Sequence, residues 1–125
     1  MAEALGEFSH RHVGNSFSPL AGGGLLVNST WEGTATGFGN VFGSLIFEVA
    51  DGATGGKVQW LGQAFPPDSE FVNGTGDGTW SKVEGAHRWR ITLPALVLST
   101  GNVLRCEGEV DLESRTFSGQ MYSAG

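Results

Sequence analysis

The sequence predicts an all-β fold: a single-domain, up-and-down antiparallel β-barrel of about eight strands. Three observations predict it. Apolar and polar residues alternate with period two through most of the chain, and no helical period persists for three turns. The alternating runs are about ten residues long and are separated by short turns rich in Gly, Pro, Asn and Asp. There are 21 glycines, many inside those runs, where they permit the coiling and corners a small barrel requires. A β-sandwich has a similar strand number but longer crossovers, and is the alternative.

Residues 1–14 are weakly patterned, with Phe8 and Val13 as inward side chains of a first strand and His10 between them. Residues 15–24 (NSFSPLAGGG) read as a loop. Over residues 25–36 the side chains of Leu25, Val27, Ser29, Trp31, Gly33 and Ala35 share the buried face, and Gly37 to Gly39 turn the chain. Residues 41–50 (VFGSLIFEVA) are apolar on both faces apart from Ser44 and Glu48, and Asp51-Gly52 ends them. Residues 57–65 place Val58, Trp60, Gly62 and Ala64 together, and Pro66-Pro67-Asp68 stops the run. Residues 71–83 are a glycine-dense strand, or a hairpin about Gly76-Asp77-Gly78, with Trp80 after the turn.

The clearest alternation lies in residues 86–98. His87, Trp89, Ile91, Leu93, Ala95 and Val97 fall on one face, and Arg88, Arg90, Thr92, Pro94 and Leu96 on the other. After a turn at residues 99–102, Leu104, Cys106, Gly108, Val110 and Leu112 alternate with Arg105, Glu107, Glu109 and Asp111. Phe117, Gly119 and Met121 mark the inward face of the last strand. A hairpin of residues 86–98 with 103–112 sets Arg88 and Arg90 against acidic neighbours, a modest outer-surface stabilisation.

Composition narrows the function classes. A formal charge of −6, from 13 acidic against seven basic residues, disfavours nucleic acid and anionic membrane surfaces. One cysteine cannot form an intrachain disulfide, which suits the reducing cytoplasm. Residues 1–14 contain no apolar stretch of the signal-peptide kind, and no apolar run reaches the roughly 18 residues of a spanning helix.

Gly33-Thr34-Ala35-Thr36-Gly37, followed by Gly43-Ser44-Leu45-Ile46-Phe47-Glu48, resembles small bacterial barrels of the lipocalin-like and allene-oxide-cyclase-like kind. Gly78-Thr79-Trp80, Gly108-Glu109-Val110-Asp111-Leu112 and Phe117-Ser118-Gly119 fit the same style. The resemblance implies a barrel whose interior holds a small apolar ligand.

His87 is the leading candidate for chemistry. On the face it shares with Trp89 and Ile91, a buried neutral imidazole could act as general base or orient a ligand; the alternative is a strand-end histidine, half exposed. Cys106 is either an inert small hydrophobe or the partner of His87 across the hairpin. Trp31, Trp60 and Trp89 line a cavity or simply fill the barrel, since eight strands give an interior of either kind. Glu48 is an acid/base candidate if it points inward, although an outward carboxylate is the simpler reading. His10 and His12 share a face and could ligate zinc, but without a third ligand at an obvious spacing a solvated polar face is the simpler reading, and neither a metal nor a cofactor is expected. The function expected from this reading is a small-molecule-binding barrel for an apolar or aromatic ligand, with cyclase or isomerase activity as an extension. It requires a void of about 300 Å3 or more near His87. The alternative is a non-catalytic homo-oligomer with a solid core, joined through the two-faced run at residues 41–50.

Overall fold

A computed structural model describes residues 3–124. Residues 1, 2 and 125 of the domain expected over 1–125 lie outside the described residues. Eight strands follow one another: β1 (Gly6–Pro19), β2 (Gly24–Ala35), β3 (Gly39–Ala50), β4 (Gly55–Phe65), β5 (Val72–Lys82), β6 (Arg88–Leu98), β7 (Val103–Asp111) and β8 (Thr116–Ser123). Each pairs antiparallel with its sequence neighbours, and β1 closes the ring on β8 from Gly6↔Met121 to Arg11↔Thr116. This is the up-and-down barrel the alternation predicts, and not a sandwich. Closure pairs the two end strands over this stretch, and β1 from Gly14 to Pro19 runs on past β8, paired with β2 alone.

Alternate side chains of every strand meet inside. The fully buried set includes Trp31, Leu45, Phe47, Ile91 and Val110, joined by Val58, Trp60, Trp80, Leu93, Phe117 and Met121. Outward positions carry the charges. Arg88 lies 3.5 Å from Asp111 and Arg90 3.8 Å from Glu109, in the cross-strand register that the hairpin reading requires. Asp111 also accepts the backbone N–H groups of Glu113 and Ser114, which hold its carboxyl below the usual range and shape the β7–β8 turn.

Several expectations are corrected. Most of residues 15–24 is strand: β1 continues to Pro19, paired with β2 down to Leu25. Asn15 to Pro19 are exposed throughout, so no buried face marks them as a strand. Val13 points outward, an odd number of positions from inward Phe8 and His10, and the phase of β1 shifts only beyond it, at a bulge between His12 and Gly14. Of the two readings of residues 71–83, the glycine-dense strand holds, as Val72–Lys82, and the hairpin does not. In β6 the buried side passes from Ile91 and Leu93 to Leu96 and Leu98, leaving Ala95 and Val97 outside. A bulge between Leu93 and Leu96 causes the switch, at Pro94, which has no N–H to give the ladder. Leu112 lies beyond the end of β7 and is exposed.

Four turns (β1–β2, β3–β4, β5–β6 and β7–β8) lie at one end of the barrel, hereafter the His87 end. The β2–β3, β4–β5 and β6–β7 connections lie at the other, the Phe38 end.

Candidate functional site

The interior differs between its two ends. Toward the His87 end the aromatic side chains form a plug. Trp80 and Trp89 have ring centroids 4.7 Å apart, and Phe47 meets Trp89 edge-on at 5.1 Å. Trp80 Nε1 donates to the Glu48 carbonyl at 3.0 Å, which anchors the indole to the wall. Trp31 lies beside this plug, edge-on to His12 at 5.1 Å and to Phe117 at 5.9 Å.

Toward the Phe38 end the interior contains a cavity of about 70 Å3. Its floor, near mid-barrel, is made by His10, Trp60, Leu93, Cys106 and Phe117; its upper wall includes Ala64, Val72, Leu98, Leu104 and Met121. Phe38, half-buried in the β2–β3 turn, lines it at the mouth.

The space exists because of where side chains are missing. A Cβ at Gly43 would lie 2.3 Å from Trp60 Cζ2, and one at Gly62 would lie 2.6 Å from the same atom. These two glycines face each other across β3 and β4, so the indole lies over bare backbone and does not fill the centre. His10 stacks on that indole, centroids 5.6 Å apart and planes 14° apart, with Phe8 on it at 5.4 Å. Gly33, opposite His10, makes room for the imidazole: a Cβ there would come within 2.7 Å of Nδ1.

His10 is 5% exposed, and its Nδ1 has no hydrogen-bond partner among the described residues. Burial pushes its pKa down to about 4, so the ring is neutral at pH 7. Burial pushes the Cys106 thiol up to about 11 against a smaller pull from Arg105. Neither group is poised near neutral pH for proton transfer or nucleophilic attack. Among the described residues no three His, Cys, Asp or Glu side chains are grouped to hold a metal ion.

The expected site residues therefore divide. Trp60 and Cys106 line the cavity. Trp31 is buried and Trp89 partly buried, but both belong to the packed half. Glu48 is exposed, its carboxylate outside the barrel, and it serves the interior only through its carbonyl. His87 is also exposed, which overturns its place inside. Residues 84–87 form the β5–β6 turn, closed by Val83 N–H to Arg88 O at 2.9 Å, so the alternation runs past the strand's end. The His87–Cys106 pair is overturned with it: the His87 carbonyl bonds Leu112, whereas Cys106 lies in register with Leu93 and Met121. The void of about 300 Å3 expected beside His87 does not stand: that side chain is exposed, and the cavity at the other end measures about 70 Å3. The residue that sequence reasoning left on a solvated face, His10, is the one at the chamber floor. Its signal was Phe8-x-His10 on the strand facing Gly33. The chain matches no known family model, no curated protein and no solved structure.

Proposed function

We propose that this protein binds a small, neutral, mainly apolar molecule inside the barrel, in the chamber between His10 and Phe38. The observation that carries this reading is an apolar cavity of about 70 Å3 with one buried, neutral imidazole in its floor. Packed cores leave few voids, so the cavity favours a site over a packing remnant. The cavity is less than half of the roughly 150 Å3 apolar void that accepts benzene. The ligand is therefore slimmer than the aromatic compound the sequence suggested. The mismatched acidities of His10 and Cys106 favour binding over cyclase or isomerase chemistry. A free thiol supports a reducing compartment such as the cytoplasm.

A second reading has its own observation. Outside the barrel Phe42 and Phe65 meet edge-on at 5.8 Å, with Phe71 6.4 Å from Phe65, and all three are exposed. Such a cluster on the outer face of β3 and β4 supports a homo-oligomer. One experiment separates the readings. Xenon under pressure enters dry apolar cavities, and methyl NMR shifts are expected at Ala64, Leu98, Leu104 and Met121, with Ile91 and Val110 unmoved. No shift at the chamber methyls, together with concentration-dependent shifts around Phe42 and Phe65, sinks the chamber and leaves the oligomer.

A further inference from the structure

We infer that the ligand of this chamber is a slender neutral alcohol, its hydroxyl bonded to the His10 imidazole and its alkyl chain directed toward Phe38. The inference rests on the proposed binding role and specifies its chemistry. His10 belongs to the floor, whereas the upper wall is aliphatic from Ala64 and Val72 to Leu98 and Leu104. A ligand that matches this gradient enters with its polar end first.

The polar end is a hydroxyl because the imidazole is neutral. A neutral ring carries one N–H and one lone pair, and the hydroxyl donates to the lone pair, a bond that an ether, which only accepts, cannot make. A carboxylate or ammonium would need a counter-charge at the floor, and burying a lone charge is prohibitive. The cations nearest in sequence lie outside: Arg11 pairs with Glu32 on the outer surface, and Arg105 stacks over Tyr122 at 4.1 Å.

The body is an alkyl chain because the chamber is narrow and continues outward. A cleft on the rim shares Phe38, Leu98, Leu104 and Met121 with the chamber and extends to Leu5 and Val103. Phe38 lines both spaces. It sits between Gly37 (φ 80°) and Gly39 (φ 70°), whose left-handed backbone lets the turn present the ring over the opening. With that ring swung aside, a chain longer than the chamber runs out along the rim.

The test uses the full chain and three probes of similar size: 1-pentanol, methyl butyl ether and pentanoate, titrated by NMR at the Leu98, Leu104 and Met121 methyls. 1-Pentanol is expected to bind about tenfold tighter than the ether, the worth of one hydrogen bond. Affinity should rise about fourfold per methylene from 1-propanol to 1-pentanol, and pentanoate should not bind. His10→Phe should erase the difference between alcohol and ether. If that variant does not fold, the comparison in the wild-type chain still decides. Equal binding of alcohol and ether, or tighter binding of pentanoate, overturns the alcohol while leaving the chamber. Failure of all three probes and of xenon removes the chamber, and the alcohol with it.

Discussion

At the scale of single residues, His10 ties folding to pH. In the unfolded chain its imidazole takes up a proton near pH 6.5, and in the barrel only near 4. Between those values the unfolded state binds more protons, so stability falls on acidification through this window and is intact above it. The full effect is about 3 kcal/mol. Cys106 acts at the other extreme: its thiol ionises near 9 when unfolded and near 11 when folded, so stability is lost as pH rises through that window. Urea midpoints of the wild type and His10→Phe should coincide or favour the variant at pH 7, and the wild type should fall well behind by pH 4.5. Parallel curves would mean that His10 is hydrated in the barrel. Of the site, Trp60 and Cys106 were legible because alternation through a complete strand fixes their face. His10 was hidden because only Phe8 precedes it on the buried face of its strand. His87 was misassigned because alternation does not mark where a strand stops.

At the scale of elements, most strands could be read directly, since a one-sided buried face imposes period two on β2, β4, β7 and β8. What could not be read are the phase shifts. A bulge inserts one residue and exchanges the faces beyond it, and a regular alternation extrapolated through Pro94 puts Val97 inside and Leu96 outside, the reverse of the structure. The register gives β6 one extra residue against both β5 and β7 at this point. Deleting Ala95 alone would restore a regular ladder with Leu93, Leu96 and Leu98 still inward, but would force Pro94 into a position that needs a donor. The single deletion is therefore expected to destabilise the barrel, and Pro94→Thr combined with the deletion to recover about 1 kcal/mol, one backbone hydrogen bond. Chemical denaturation of both variants measures this. If the double variant is no more stable than the deletion, proline is not the reason for the bulge.

At the scale of the whole molecule, the barrel is two interiors inside one closed sheet. The His87 end is packed with Trp80, Trp89, Phe47 and Ile91, and the Phe38 end keeps a void beside Trp60. Closed packing stabilises, and an unfilled cavity forfeits contacts that its lining could make. A chain selected for stability alone would fill the chamber, and Ala64, a small side chain of its upper wall, is a place to fill it. Ala64→Val adds two methyl groups into existing space, with a gain of about 0.5–2 kcal/mol. Ile91→Ala in the packed half should lose about 2–5 kcal/mol. The decisive comparison couples stability to binding. Ala64→Val should melt higher than the wild type yet no longer take up xenon or 1-pentanol, whereas destabilised Ile91→Ala should bind both as before wherever it remains folded. A trade of stability against binding at the Phe38 end, and not at the His87 end, is what a chamber retained for a ligand predicts. If Ala64→Val melts lower, the space at its side chain is already closed in solution, and the void has no role to explain.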